Sequence, residues 1–244
     1  MEEENYYKNL QQAFDELPEN FTILEEQVNV SVQMSYYSFS TRIKRNGIPE
    51  DFRKFYEELF KEDLPVKERK KMLVTLASVD EVTAFRTIEK YLLNPDPGLK
   101  AWAILALQES RMRLQSSLLE EQQVFISTGL GGKGQKLRYF IVFINALVNS
   151  HLSETQKKLL ESEVRFLIGQ KGGEVEEFEF MEGYTTCLAV LPLKADLGTI
   201  FRKIIEECNQ YGNFLHEDLL ITNVKRLRKR EIIKMLNDRQ PQET

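Results

Sequence analysis

Glycine is distributed very unevenly along this chain, and that distribution limits the folds the chain can adopt. Ten of its twelve glycines lie at or after Gly129, and only Gly47 and Gly98 precede that position. Glycine is the residue that tight turns between strands most often require. The first half is therefore predicted to be helical and the second half rich in strands, with a domain boundary near residues 118–123.

The apolar residues between positions 50 and 118 recur at helical intervals of three and four. The segment from Leu99 to Leu107 is apolar nearly all round, which predicts a buried helix with Trp102 in its core. The first 46 residues stay ambiguous, because Val28 to Phe39 fits a strand as well as a helix. Together these observations predict a helical domain over residues 1–120.

The start of this buried helix carries a further signal. Asp96-Pro97-Gly98-Leu99-Lys100, followed by Ala103 and Leu107, resembles the start of a HEAT-like helical repeat, in which a short turn with Asp precedes a buried, alanine-containing helix. Residues 63–67 repeat this start 33 positions earlier, although Lys70 departs from the pattern. The resemblance covers about residues 50–118. Because about three repeats are usually needed to bury a continuous core, it implies that the helix at 50–61 or the second half closes the stack.

Strand and helix signals alternate in the second half. The strand signals cover 124–127, 137–144, 175–180, 184–191 and 219–224. Two helices begin at the capping residues Ser153 and Asp196, the first predicted to stop at Gly169. From residue 137 onward this order resembles the ferredoxin-like split βαβ arrangement.

The predicted fold class is therefore α+β. A HEAT-like helical segment would pack on a ferredoxin-like domain over residues 121–244, which carries an extra N-terminal strand and a C-terminal helix. An arrangement of this kind hosts many unrelated functions, so function has to be argued from particular residues.

Charge and cysteine content narrow the class of protein. Thirty-three Lys and Arg residues against 38 Asp and Glu residues give a net charge of −5, which disfavours a chain coated with nucleic acid. The N-terminus, Met1 to Glu4, is acidic where a signal peptide is basic and then apolar, and the longest nearly apolar run, 139–148, is too short to span a bilayer. Two cysteines without a CxxC motif indicate a reducing compartment. A cytoplasmic protein without a membrane partner is predicted.

The first candidate binding segment is a glycine-rich loop, Gly129–Gly134, which matches G-x-G-x-x-G by letter. A strand follows it where a dinucleotide site needs a helix, and the chain lacks the H-R-D and D-F-G elements of a kinase. What remains is a flexible basic hairpin loop in which Lys133, Lys136 and Arg138 could hold a phosphate or an acidic partner. The alternative is a solvated hairpin.

The second candidate is a basic segment, residues 225–230, in which five of six residues are cationic in an otherwise acidic chain. Its cations are Lys225, Arg226, Arg228, Lys229 and Arg230. Together with the glycine-rich loop it could form a nucleic-acid footprint. The alternative is the solvated start of a helix.

Catalytic and metal chemistry find little support. His151, Cys187, Cys208 and His216 lack the paired spacing of metal ligands, and both cysteines fit a core better. An acidic cluster, Glu174, Glu176, Glu177 and Glu179, alternates with apolar residues and indicates an edge strand protected by charge. No catalytic residue, metal site or cofactor is predicted.

The leading hypothesis is a non-enzymatic protein-interaction or regulatory protein with a protein partner. The first alternative is an RNA- or ribosome-associated protein that uses segments 133–138 and 225–230. The second alternative is a small-ligand sensor, since ferredoxin-like sheets can pair into ligand-binding homo-oligomers; this rests on analogy with the fold alone.

Overall fold

A computed structural model describes residues 21–119, 124–147 and 150–239, without the side chains of 236–239. Two compact units divide between Ser127 and Thr128. The division lies a few residues after the predicted boundary at 118–123. Residues 1–20, part of the segment that the sequence left ambiguous, fall outside the described residues.

The first unit is mainly helical. A short strand, β1 (Phe21–Ile23), precedes helix α1 (Val30–Arg45), and a 3-10 turn (Phe52–Lys54) leads into the short helix α2 (Phe55–Glu58). Three longer helices follow: α3 (Val66–Ala77), α4 (Val82–Leu93) and α5 (Lys100–Leu119). Strand β2 (Val124–Ile126) ends the unit. Helices α3, α4 and α5 contact one another and bury a common apolar core.

The ambiguous segment around Val28 to Phe39 forms a helix. The side chain of Asn29 accepts a hydrogen bond from the backbone N–H of Ser31 at 2.9 Å and so caps the N-terminus of α1. Three cations in the last turn oppose the negative end of the helix dipole: Arg42, Lys44 and Arg45. The local capping signal therefore decides between the two structures that the apolar spacing allowed.

The turn before α5 forms as the sequence predicts. Asp96 accepts a hydrogen bond from the Tyr91 hydroxyl at 2.6 Å and pairs with Arg69 at 3.0 Å, and Gly98 adopts a positive φ of 77°. Trp102 is buried, with 5% of its surface exposed. Its indole packs edge-on against Tyr36, with ring centres 5.3 Å apart. The prediction of a buried helix around Trp102 is confirmed.

Strand β2 pairs in parallel with β1, from Phe21 opposite Val124 to Ile23 opposite Ile126. The sequence placed the 124–127 strand in the second domain, as an addition to its sheet. It belongs instead to the first unit, because its backbone hydrogen bonds go to a strand about a hundred residues earlier. This pairing is why the division falls after Ser127.

The second unit contains a five-stranded sheet. Its elements are β3 (Gly132–Lys133), β4 (Lys136–Asn145), α6 (Glu154–Gln170), β5 (Glu174–Phe180), β6 (Tyr184–Pro192), α7 (Leu197–Asn209), β7 (Leu215–Thr222) and α8 (Lys229–Arg239). The strand order is β3-β4-β6-β5, with β7 paired to β4, and every pairing is antiparallel. The predicted α+β class is confirmed, and β4, α6, β5, β6, α7 and β7 follow one another in the predicted order.

Both faces of this sheet are covered. Alternate residues of a strand point to opposite faces. Phe143 of β4 contacts Phe201 of α7 on the helical face, with ring centres 6.0 Å apart. On the second face, Phe140, Leu188 and neighbouring apolar residues pack with Ile232 of α8. The central strands are therefore apolar on both sides, as the near-continuous apolar run in β4 indicates.

The segment at Gly129 passes very close to the segment after β7. A Cβ atom at Gly129 would lie 1.6 Å from the carbonyl oxygen of Val224, so only glycine fits there. The neighbouring Leu130 N–H donates to the carbonyl of Asn223 at 3.0 Å, and the Leu130 side chain enters the core of the second face. Residues 129–132 are buried. The interpretation of this loop as a solvated hairpin is wrong for these four residues.

Two predicted boundaries also need correction. Helix α6 continues through Gly169 to Gln170, and the left-handed glycine is Gly172, with φ of 74°. The last strand spans Leu215–Thr222 and not 219–224, because it pairs with β4 as far as Asn145. Within the described residues, no helix is long and apolar enough to cross a membrane.

Candidate functional site

Three of the cations predicted from the sequence form ion pairs with carboxylates of the acidic strand β5. They are Lys133, Arg138 and Arg226. We call Glu174, Glu176 and Glu177 the carboxylate row. β5 forms an edge of the sheet, as predicted from its alternating charges. The sequence did not show that these carboxylates face the very cations proposed to bind phosphate.

A β-bulge makes this arrangement possible. Consecutive residues of a regular strand point to opposite faces, but the pairing of β5 with β6 shifts register between Val175 and Glu177. Glu176 is the extra residue. The bulge lets both Glu176 and Glu177 engage cations from outside the strand, Arg138 and Arg226.

Arg138 has a structural role. Its guanidinium donates to both carboxylate oxygens of Glu176, at 2.5 and 2.8 Å, and to the carbonyl oxygen of Leu130 at 2.8 Å. Only 13% of its side chain is exposed. It reaches across β6, which lies between β4 and β5. Arg138 thus positions the 129–131 segment and is poorly placed to meet a phosphate.

Three further cations are paired but accessible. Arg226 makes a two-pronged contact with Glu177, one arm at 2.7 Å, with 42% and 47% of the two side chains exposed. Lys133 contacts Glu174 at 2.6 Å, and Lys225 contacts Glu231. The ion pair with Arg226 lowers the pKa of Glu177, and the contact with Lys133 lowers the pKa of Glu174. Exposed pairs of this kind contribute little to stability, because water and salt screen the attraction.

The start of α8 is organised by Glu231. Its carboxylate accepts the backbone N–H of Arg228 at 2.8 Å as well as pairing with Lys225. The backbone hydrogen bond from Arg228 is the largest cause of the lowered pKa of Glu231, and Lys225 adds to it. The predicted helix start is confirmed. The backbone N–H of Arg228 at this helix start is already hydrogen-bonded to the Glu231 carboxylate.

The other predicted cations make no ion pair among the described side chains. These are Lys136, Arg228, Lys229 and Arg230. Lys136 is half-buried, whereas Arg228, Lys229 and Arg230 are exposed and consecutive where α8 begins. The structure therefore sorts the eight predicted residues into one structural arginine, three paired and accessible cations, and four cations without a carboxylate partner.

The cysteines are structural. Cys187 and Cys208 are free and buried, and burial raises the pKa of each thiol to about 12. Such thiols stay protonated and unreactive near neutral pH. Across the part of the chain with described side chains, no group of three or more His, Cys, Asp and Glu residues is arranged to hold a metal ion.

The first unit contains an acidic centre that sequence reasoning missed. Glu109 on α5 accepts a hydrogen bond from the Tyr36 hydroxyl at 2.7 Å, accepts another from Ser40 at 3.3 Å, and pairs with Lys44 at 2.5 Å. It lines an open cleft of about 400 Å³ with Tyr37 and other residues of α1, α5 and β2. Burial, followed by the charge of Glu109, raises the pKa of Tyr36 well above its usual value.

This network joins helix α1 to helix α5. Glu109 is fully occupied by donors from this chain, which makes it a structural group and not an open ligand site. No sequence signal marks it, since Tyr36 and Glu109 are 73 residues apart.

No protein-family model matches this chain, and no curated protein sequence does either. Several solved structures are similar to part of it, among them two that are described as transposases. One is a protein of Deinococcus radiodurans R1 described as a transposase, with 14% identity and a TM-score of 0.37 over 42% of this chain and 90% of that one. The other is a REP-associated tyrosine transposase bound to a REP hairpin, with 13% identity and a TM-score of 0.32 over 42% of this chain and 68% of that one.

These matches correct the leading functional prediction. Both proteins are described as transposases, one of them bound to a REP hairpin, and neither is described as a regulatory or interaction protein. The prediction of a non-enzymatic protein-interaction or regulatory protein is therefore wrong, and its two alternatives, an RNA- or ribosome-associated protein and a small-ligand sensor, gain no support. At these TM-scores the similarity assigns no role to any residue. That the chain has a protein partner and that it forms a homo-oligomer stay predictions.

Proposed function

We propose that this chain binds DNA through its phosphate backbone, with Arg228, Lys229 and Arg230 at the start of α8 as the main contacts. The observation that carries the proposal is that these three cations are consecutive, exposed and without a carboxylate partner among the described side chains. Elsewhere in the second unit most of the predicted cations are neutralised by carboxylates, chiefly those of the carboxylate row. The α8 start thus presents three adjacent cationic side chains that form no ion pair with a described carboxylate.

Elementary electrostatics supports this choice of residues. Lys and Arg that neutralise phosphates release bound counterions, which makes affinity fall steeply with salt. Arginine also presents a planar set of donors that matches two phosphate oxygens. Contacts of this kind position a protein on a nucleic acid and carry no sequence information. The proposal therefore concerns binding without sequence preference.

The test is a fluorescence-polarisation titration of a labelled DNA duplex at several salt concentrations. Replacing Arg228, Lys229 and Arg230 together with Gln removes up to three phosphate contacts. The slope of log affinity against log salt is negative, and it should become shallower by about 0.9 for each phosphate that the variant no longer neutralises. The melting temperature should stay nearly unchanged, because exposed charges contribute little to stability.

A matched control removes the same charge from another surface. Lys171, Arg202 and Lys203 are exposed and belong to the α6 end and to α7, which packs on the opposite face of the sheet. Their replacement with Gln should leave the salt slope close to that of the unmodified protein. The proposal is overturned if the unmodified protein binds no DNA at low salt, or if both triple variants weaken binding equally. RNA of the same sequence is the comparison probe, since the phosphate contacts alone do not discriminate the sugar.

A further inference from the structure

We infer that the carboxylate row competes with nucleic-acid phosphates for Arg226 and Lys133. The ion pairs within the chain would then weaken its binding to nucleic acid. The inference rests on the proposed function and concerns the regulation of the same site. A carboxylate held against an arginine by two contacts occupies the donors that a phosphate would use. Glu177 holds Arg226 in this way, and Glu174 occupies the ammonium of Lys133 through one contact at 2.6 Å.

The degree of exposure distinguishes exchangeable pairs from structural ones. Both partners of the Arg226–Glu177 pair are more than 40% exposed, and so are both partners of Lys133–Glu174. The Arg138–Glu176 pair is 13% and 22% exposed and also holds the backbone of Leu130. A phosphate therefore has access to Arg226 and Lys133, whereas displacing Glu176 from Arg138 would disturb the core.

The location of Arg226 adds a second observation. It lies two residues before Arg228, in the same basic segment whose last three cations are proposed to bind DNA. When Arg226 is held by Glu177, the segment offers one cation fewer to the phosphate backbone. Release of that ion pair would extend the contact surface without moving any helix or strand, because only the two side chains have to part.

The test compares two glutamates of the same strand. Glu177→Gln removes the competitor of Arg226. Glu179→Gln removes the same charge two residues along, where the carboxylate shares the strand face of Glu177 and acts on Arg226 through its charge but forms no ion pair with any described side chain. Glu177→Gln should tighten DNA binding about two- to fivefold, the size that an exposed ion pair can contribute. It should also steepen the salt slope by about 0.9, the value for one added phosphate contact.

Glu179→Gln should leave the salt slope unchanged. The double variant with Arg226→Gln and Glu177→Gln should bind DNA no more tightly than the Arg226→Gln variant. If the unmodified protein binds DNA but the two glutamate variants behave alike, the inference is overturned and the proposed function stands. If no variant binds DNA at low salt, the proposed function is overturned and the inference falls with it.

Discussion

The hydrogen-bond network of Glu109 gives the sharpest prediction about stability. Tyr36 is fully buried and donates its hydroxyl to Glu109 at 2.7 Å, and Ser40, 3% exposed, donates to the same carboxylate. Glu109→Ala leaves both hydroxyls without their acceptor. A buried hydroxyl without a partner costs about 1–3 kcal/mol, and loss of the half-exposed Lys44 pair adds about 0–1 kcal/mol. The free energy of unfolding should therefore fall by about 2–7 kcal/mol.

Two milder variants test the reasoning behind this number. Glu109→Gln keeps an acceptor for Tyr36 and loses only the charge. Its cost should be about 1 kcal/mol, the difference between a hydrogen bond to a charged and to a neutral group. Tyr36→Phe removes the donor together with its need for an acceptor, so it should cost less than Glu109→Ala. The order of the three variants matters more than any single value.

The assay is urea unfolding of the full chain, monitored by tryptophan fluorescence. Trp102 is the chain's one tryptophan, and its ring lies 5.3 Å from that of Tyr36, so the signal reports on the unit that contains the network. The matched control is Glu89→Ala. Glu89 is 42% exposed and pairs with Arg86 three residues away on the same helix, so the expected change is within about 0.5 kcal/mol. A Glu109→Ala variant as stable as the control would refute the argument.

Two predictions concern buried side chains. Trp102→Ala should destabilise the helical unit by about 3–5 kcal/mol, as large-to-small changes in a core do; urea unfolding followed by circular dichroism measures this, and a cost below about 1 kcal/mol would contradict the packing. Cys187, whose thiol pKa burial raises to about 12, should resist alkylation at mildly alkaline pH in the folded protein and react fully in urea, as should Cys208. Rapid labelling of the folded chain would show that these thiols are accessible.

Much of the fold could be predicted because its signals are local. The capping box at Ser153, in which the Gln156 backbone N–H bonds the serine oxygen and the Gln156 side chain bonds back, is complete within four residues. Asp196 caps its helix through Thr199 in the same way. The apolar run in β4 predicts a strand buried on both faces. Signals of this kind need no knowledge of the rest of the chain.

The candidate site was predicted only in part, for the opposite reason. The basic residues and the acidic strand are both evident in the sequence, but their pairing is not. Arg226 and Glu177 are 49 residues apart. Their contact depends on the order β4-β6-β5 and on a bulge that no local pattern in β5 reveals. Glu174, Glu176 and Glu177 were interpreted as protection of a sheet edge, which they are, and also neutralise three of the cations proposed as ligands.

The sequence by itself determined most of the helices and strands after residue 50, the position of the buried helix around Trp102 and the residues that carry charge. These properties follow from periodicity, capping and turn chemistry within a few neighbouring residues. Only the tertiary structure decided that β2 pairs with β1, that Glu109 joins α1 to α5, and which cations stay available at the start of α8. Each of these depends on contacts between distant segments, and their free energy arises only when the chain has folded.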